Sequence, residues 1–296
     1  MANEKVVCVV GPTAAGKTAF SIELAKAVDG EVVSADSRQV YRGLDIGTGK
    51  VTEAEMHGVP HHMLDVADPQ EVFSAADFVR RGREALADIV ARGKVPIIAG
   101  GTGFYIDALL GRVSLADVPP NPAVRKRLAG YNLGKLQNEL QKLDPERYET
   151  IDTKNPRRLI RAIEVAHALG KNLHPEHASL YNTLWFGIIL PQTKLKERIQ
   201  ARLTARLDAG MLDEAKRLHA EGLAYERMEE LGLEYRYMAR HLHGDMSFDQ
   251  MQEQLEREIW RYAKRQMTWF KRNPDIHWLN PSEKEATIAR VKMFLA

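Results

Sequence analysis

The residues Gly11-Pro12-Thr13-Ala14-Ala15-Gly16-Lys17-Thr18 carry the most specific chemistry in this chain. They match the G-x-x-x-x-G-K-[ST] spacing of a P-loop, with the apolar run Val6–Val10 before them and a helical pattern after them to about Val28. In that setting small residues let successive backbone N–H groups converge on phosphate oxygens, and a helix N-terminus adds partial positive charge. Lys17 would reach across the phosphates, and the Thr18 hydroxyl is the expected magnesium ligand. The pattern specifies a diphosphate-bearing ligand but no reaction.

A second apolar segment, Val32-Val33-Ser34-Ala35, runs into Asp36-Ser37-Arg38-Gln39. Strand C-termini of a parallel α/β sheet face the ligand crevice, which places Asp36 opposite whatever attacks the bound substrate. Capping the following turn is the other use of an aspartate here. The next apolar run, Val95–Ala99, ends in Gly100-Gly101-Thr102 and lacks the acid that nucleotide-hydrolysing P-loop enzymes place there. This argues against a motor or a switch GTPase and leaves group transfer involving a diphosphate. Thr102 could hydrogen-bond an acceptor, while a tight turn into a helix over Phe104–Leu110 accounts for the same residues.

Basic residues cluster in three places. Lys194, Arg198, Arg202 and Arg206 recur every four residues, one slowly drifting stripe on a helix. Arg157, Arg158 and Arg161 form a second group, and Lys264, Arg265, Lys271 and Arg272 surround Trp269 and Phe270 with no acid among them. Each alone is an ordinary solvated helix face. Three of them in a chain whose 42 basic and 40 acidic residues nearly cancel point to a polyanionic partner. Trp269 and Phe270 could stack on bases, although core packing of a long helix is the commoner role. His61 and His62 are adjacent on an extended or loop segment, where neighbouring side chains diverge. His174 and His177 have no further ligand at metal spacing, so no histidine is assigned to a metal.

The elements that must position these residues follow from apolar periodicity. Strands are expected at Val6–Val10, Glu31–Ala35, Val95–Ala99, Leu184–Leu190 and Ile276–Leu279, with helices between them. One helix starts at Ser74, which with Asp77 makes a variant capping box, and ends before Gly93. The roughly eighty residues between the third and fourth strands exceed a single crossover, and Asn121-Pro122, Asp144-Pro145 and Asn155-Pro156 each read as an N-cap followed by proline. Three short inserted helices are therefore expected. The stretch from Lys194 to Arg272 is helical and punctuated by Gly210, Gly222, Gly232 and Gly244, and a last helix is expected from Ser282, boxed by Glu285. The fold class is α/β: a P-loop NTPase-like, mainly parallel sheet covered on both faces, with an inserted small helical domain and a helical C-terminal part. The expected boundaries are 1–112 with 183–296 for the core and 113–182 for the insertion.

The chain of 296 residues can hold such a core and a smaller module, and 44% hydrophobic with 28% charged residues is usual for a soluble globular protein. No stretch nears about eighteen apolar residues, and no basic region precedes a hydrophobic one at the N-terminus. A cytoplasmic protein without a membrane partner is expected. The single cysteine, Cys8, has no internal disulfide partner and is expected to be a buried thiol.

Taken in order, these segments resemble the bacterial tRNA dimethylallyltransferase family. The matching residues are Gly11–Thr18, Asp36-Ser37-Arg38-Gln39-Val40-Tyr41, Gly58-Val59-Pro60-His61-His62 and Gly100-Gly101-Thr102-Gly103-Phe104-Tyr105. They continue with Arg158-Leu159-Ile160-Arg161-Ala162-Ile163-Glu164, Arg198-Ile199 with Arg202, and Lys264-Arg265-Gln266 through Trp269-Phe270. The resemblance implies transfer of a dimethylallyl group from dimethylallyl diphosphate to the exocyclic amine of the adenosine 3′ of a tRNA anticodon. It implies that Asp36 is the general base, that Lys17, Thr102 and Arg202 assist, and that Gly11 to Thr18 hold the diphosphate with Mg²⁺ on Thr18. It further implies that the tRNA anticodon stem-loop meets Asp36, Ser37, Arg38, Gln39, Thr102, Val124, Arg157, Arg158, Leu159, Ile160, Arg161, Lys264, Arg265 and Gln266. A monomer is expected. The target base must leave its stack to reach the diphosphate. The sequence departs from the family at Lys171-Asn172-Leu173-His174-Pro175-Glu176, is short between Arg112 and Thr153, and shows no zinc-finger pattern after the core. Competing readings are a P-loop small-molecule kinase, a prenyltransferase acting on free adenine nucleotides (an adenylate isopentenyltransferase) and a non-catalytic, nucleotide-gated RNA-binding protein.

Overall fold

In the computed structural model, the first apolar run forms strand β1 (Lys5–Val10), whose alternate side chains enter two different cores. Val6, Cys8 and Val10 pack on one face of the sheet and Val7 and Val9 on the other, as the two-residue period of a strand dictates. The structure describes residues 4–113, 115–116, 118–170, 179–280 and 283–296. The remaining strands are β2 (Gly30–Ala35), β3 (His61–His62), β4 (Val95–Gly100), β5 (Asn182–Ile188) and β6 (Ile276–Leu279). Their order across the sheet is β3-β2-β4-β1-β5-β6, and every pair is parallel.

The helices are α1 (Lys17–Val28), α2 (Glu53–Met56), α3 (Ala75–Ala91), α4 (Gly103–Leu109), α5 (Pro122–Ala129), α6 (Leu133–Leu143), α7 (Pro145–Thr150), α8 (Pro156–Leu169), α9 (Gln192–Asp208), α10 (Met211–Ala220), α11 (Tyr225–Glu230), α12 (Leu233–His243), α13 (Phe248–Phe270) and α14 (Lys284–Leu295). Helices α1 and α14 cover the Val7 and Val9 face, through Phe20, Ile22, Leu24 and Val291. The other face is covered by α3, α4 and the α9–α13 layer, including Phe78, Ile106, Ile199, Tyr235 and Ile259. A parallel sheet buried on both sides explains why its strands read as unbroken apolar runs.

Two compact units divide the chain: residues 1–113 with 179–296, and residues 114–178. The smaller unit closes on its own core of Leu128, Leu136, Leu140, Leu159 and Ile163. Its described residues form four helices where three were expected. The Asn-Pro and Asp-Pro starts all form, with Asn121, Asp144 and Asn155 side chains accepting first-turn N–H groups. Helix α6 is capped by Asn132, which accepts from Lys135 N at 2.9 Å without a following proline, so it lacks the signal that marked the others. Buried Glu164 accepts from Arg125 Nε at 2.7 Å and Asn121 N at 2.9 Å, locking α8 to the start of α5.

The sheet has a sixth strand that the sequence pattern missed. With only two residues, β3 is too short for a period-two signal, and side chains secure it to β2. Glu31 accepts from His62 Nε2 at 2.7 Å and from both terminal nitrogens of Arg92. The Arg92 hydrogen bonds, opposed by burial and supported by His62, bring the Glu31 carboxyl down to about 2. Strand β5 lies two residues earlier than expected, at Asn182–Ile188. Ser74 and Asp77 form their capping box. The box expected at Ser282 and the histidines 174 and 177 lie outside the described residues.

Candidate active site

The P-loop joins the C-terminal end of β1 to α1. Gly11 has φ +141°, and a Cβ there would stand 2.6 Å from the Ile188 carbonyl oxygen, so only glycine lets the loop rest on β5. Ala14 also lies in the left-handed region at φ +61°. Helix α1 starts at Lys17 with no side chain capping it and no acid in its first turn, the local arrangement in which helix N–H groups are available to an anion. Lys17 Nζ donates to the Pro12 carbonyl at 2.8 Å. Burial first, and Arg202 second, lower its ammonium to about 8, with Asp36 opposing.

Asp36 follows the C-terminal end of β2. Its Oδ1 accepts from the N–H of Arg38 at 2.8 Å and of Gln39 at 3.4 Å, which caps the turn. The half-buried side chain also lines a narrow cavity of about 80 Å³ together with Thr13, Lys17, Thr18, Gln39, Arg202, Tyr262 and Gln266. Thr102 Oγ1 accepts from Ser37 N at 3.2 Å, and its own N–H donates to Ala35 O at 3.1 Å, so the loops after β2 and β4 are stitched together. Burial and the Asp36 charge push the Tyr262 phenol up, while a hydrogen bond to Thr102 pulls the other way.

Helix α9 changes the reading of its basic stripe. Arg198 donates to Ala15 O at 3.3 Å, and Arg202 to Thr13 Oγ1 at 3.4 Å and Gly49 O at 3.2 Å. Arg206 donates to Ile46 O at 2.7 Å, to Gly47 O and to Glu234. Three of the four cations therefore face the P-loop and the 44–50 loop, and only Lys194 has no such role among the described residues. A wider cavity of about 690 Å³ on this side is lined by Gly16, Thr18, Lys26, Arg198 and Arg202. Most of the stripe is thus turned toward the P-loop and the 44–50 loop. Burial, then Arg206, lower the Arg202 guanidinium, which stays charged across the physiological range.

Residues that sequence reasoning missed hold the 44–50 loop in place. Buried Glu214 accepts from Asp45 N at 3.0 Å, Ile46 N and Gly47 N at 2.8 Å, and Tyr235 Oη at 2.5 Å. No local motif marks an acid on α10 that acts on a loop so far away in the sequence.

Helix α13 carries a further correction. Gln266, which the resemblance sets at the RNA, is buried, with Oε1 accepting from Thr13 N at 2.8 Å and Nε2 donating to Gly101 O at 3.0 Å. A Cβ on Gly101 would stand 2.1 Å from that Nε2, so the close approach demands glycine. Lys264 and Arg265 are exposed and lie over the Trp260 and Tyr262 rings at 5.8 and 5.9 Å. Phe270 is core, and Trp269 donates to Asp107 Oδ2 at 2.9 Å, which favours the packing role over stacking on bases. Within the smaller unit Arg157 and Arg158 are exposed, and Val124 and Ile160 half-buried. Arg161 is bound to Glu164 and Val118 O, and Leu159 is fully buried, so the Leu159 side chain serves the core and offers no surface to a partner.

Among the described residues no cluster of three or more His, Cys, Asp or Glu could hold a metal by itself. The Thr18 and Asp36 oxygens on one cavity fit Mg²⁺ of the kind that arrives with phosphate oxygens and keeps several waters. No helix of the described residues is long and apolar enough to cross a membrane.

This geometry has counterparts in known proteins. Residues 39–273 match the model of the IPP transferase family. The tRNA dimethylallyltransferase of Anoxybacillus flavithermus is 38% identical over 299 residues, covering 99% of this chain and 96% of the relative. The tRNA dimethylallyltransferase 1 of Geotalea daltonii is 43% identical, covering 93% of this chain and 90% of the relative. The full-length tRNA isopentenylpyrophosphate transferase of Bacillus halodurans superimposes with a TM-score of 0.73 at 36% identity, covering 99% of this chain and 95% of that one. A eukaryotic dimethylallyltransferase acting on tRNA superimposes with a TM-score of 0.79 at 25% identity, covering 94% and 74%. With a family match that spans most of its length and relatives this similar end to end, the chain belongs to the IPP transferase family.

Proposed function

We propose that this protein transfers a dimethylallyl group from dimethylallyl diphosphate to the N6 amine of the adenosine 3′ of the anticodon in tRNA, releasing diphosphate. The observation that carries this reading is that Asp36 and Lys17 line one crevice, with an anion cradle on one side and a carboxylate on the other. The allylic C–O bond breaks with its electron pair leaving on the diphosphate, and the N6–C bond forms. The N6 proton passes to the free Oδ2 of Asp36, since an adenine amine is a weak nucleophile until that proton is removed. Lys17, Arg202, Arg198 and the α1 N–H groups receive the charge that develops on the leaving group. Thr18 would hold Mg²⁺ here, which when bound neutralises phosphate charge. Tyr262 and Gln266 line the same narrow crevice, and keeping water out of such a space favours transfer over hydrolysis.

The RNA is held by the outer face of α13 through Lys264 and Arg265, and by Arg157 and Arg158 of the smaller unit. The same reading takes the protein as a monomer acting where tRNA is matured, in the cytoplasm.

The test mixes protein, Mg²⁺, labelled dimethylallyl diphosphate and unmodified tRNA. Label in the RNA, at the adenosine beside the anticodon, is the expected result. Label on free AMP instead would favour a nucleotide prenyltransferase, and phosphate transfer from ATP without prenyl label would favour a kinase. RNA binding with no turnover would leave only a binding protein.

A further inference from the structure

Glu214 is buried on α10 and lines neither cavity, yet a continuous run of hydrogen bonds joins it to Arg202 beside the P-loop. Its Oε2 accepts the Ile46 N–H at 2.8 Å. The carbonyl of that same peptide unit, Asp45 O, accepts the Lys50 N–H at 2.9 Å. The carbonyl sharing a peptide plane with the Lys50 N–H is that of Gly49, which accepts from Arg202 Nη2 at 3.2 Å and Gln39 Nε2 at 3.3 Å. Two peptide planes thus stand head to tail between a carboxylate and a guanidinium. A peptide unit is planar and stiff, so holding its N–H also fixes the direction of its C=O.

The polarity of the run is uniform. A carboxylate on the Ile46 N–H makes Asp45 O a stronger acceptor, and the second peptide passes the effect on to Gly49 O. The carboxylate itself is fully engaged, since Asp45 N, Gly47 N and Tyr235 Oη also donate to it. Burial, then the Glu214 charge, push the Tyr235 phenol up, so its O–H stays a donor. From the other side Arg206 Nε donates to Ile46 O at 2.7 Å, and the Gly49 N–H donates to the same oxygen at 3.0 Å. Glycine is required where the run ends. Gly49 has φ +59°, and a Cβ there would stand 2.0 Å from Arg202 Nη2.

Arg202 and Lys17 are the two Lys or Arg residues that line both cavities, and Arg202 also reaches Thr13 Oγ1 at 3.4 Å. A guanidinium has five N–H groups in a fixed fork, so acceptors that hold some of them decide where the others point. We infer that Glu214 is a positioning residue for diphosphate binding: through the Asp45–Ile46 and Gly49–Lys50 peptide units it holds and strengthens the Gly49 acceptor that sets the Arg202 guanidinium. This rests on the diphosphate reading of the P-loop. Glu214 touches no substrate and moves no proton.

Calorimetric titration of the full-length protein with inorganic diphosphate and Mg²⁺ tests the inference in a double-mutant cycle of Glu214→Gln and Arg202→Ala. Glutamine accepts through one terminal atom, so its NH₂ must face donors that the carboxylate accepted. Each single variant should bind about tenfold more weakly, and the double variant within about twofold of Arg202→Ala. Tyr235→Phe removes a donor to the same carboxylate but leaves the loop its acceptor, so it should melt lower yet bind within about twofold of wild type. Should Glu214→Gln not fold, Glu214→Asp, which draws the charge back by one methylene, takes its place in the cycle. Losses that multiply in the double variant overturn the inference, because a carboxylate that only supported the fold would act independently of Arg202. Wild-type affinity in the Glu214 variant overturns it too, as does a loss in Tyr235→Phe as large as that in Glu214→Gln. Prenyl transfer is not read in this titration, so these failures leave the proposed reaction standing. A wild-type protein that binds no diphosphate, or Arg202→Ala with wild-type affinity, would overturn the inference together with the proposed diphosphate site.

Discussion

Gln266 Oε1 accepts the Thr13 N–H at 2.8 Å, tying the long helix α13 to a loop 253 residues earlier in the chain. The other end of the same amide donates to Gly101 O at 3.0 Å. One side chain thus clamps the P-loop to the loop after β4. The two residues before it, Lys264 and Arg265, are exposed to solvent on the same helix.

Removing that clamp should hurt both stability and substrate binding. Gln266→Ala strands a backbone donor and acceptor, and a loss of about 1–3 kcal/mol is expected in urea unfolding. The KM for the diphosphate substrate should rise several-fold. Gln266→Glu still accepts from Thr13 but cannot donate to Gly101 and adds negative charge beside the cradle, so its KM should rise further. Equal KM values for the two variants would speak against an electrostatic contribution at this position.

Asp36→Asn separates the capping use of that residue from its proposed catalytic one. The asparagine oxygen still accepts from Arg38 and Gln39, so melting should change little. Single-turnover prenyl transfer should slow by about 10²–10⁴, the usual contribution of a general base. A variant with near-wild-type rate would remove Asp36 from the chemistry.

Lys17 gives the site a pH signature. Its ammonium is lowered to about 8, so in the free protein it loses its proton as pH rises through that value. A bound diphosphate favours the charged form and raises the value again. Diphosphate binding should therefore take up a proton at pH 9 and almost none at pH 7, read as the dependence of calorimetric heat on buffer ionisation enthalpy. Lys17→Met should abolish the uptake.

The Glu31, Arg92 and His62 cluster ties stability to acid pH. The Glu31 carboxyl is depressed to about 2 in the folded protein, from 4.5. Its contribution is fully present above about pH 4.5 and is lost as pH falls toward about 2. Arg92→Ala should lower the melting temperature at pH 7, with the gap from wild type closing near pH 2. A gap independent of pH would mean that Arg92 acts through packing alone.

Arg157 and Arg158 are exposed on α8 and test the proposed RNA contact of the smaller unit. Replacing both with alanine should weaken tRNA binding and make the slope of log K against log salt shallower by nearly one per lost phosphate contact. The rate at saturating tRNA should stay near wild type. An unchanged salt slope would place the RNA elsewhere.

Local signals were enough for a large part of this molecule. The P-loop is legible because eight adjacent residues and their flanking strand and helix make the whole motif. The parallel sheet is legible because strands buried on both faces must be continuously apolar. The caps at Asn121, Asp144 and Asn155 act on N–H groups within three residues, so sequence alone reveals them. What the tertiary structure decided is where long-range partners point. Helical periodicity drew Lys194 to Arg206 as one stripe but could not say which side faced inward, because an arginine stripe suits solvent and phosphate alike. The burial of Gln266, the Glu214 brace on residues 45–47 and the two-residue strand that carries His61 all depend on contacts between distant segments. Such contacts leave no periodic trace in the chain, since each is fixed by a single side chain meeting a backbone that folding alone brings near.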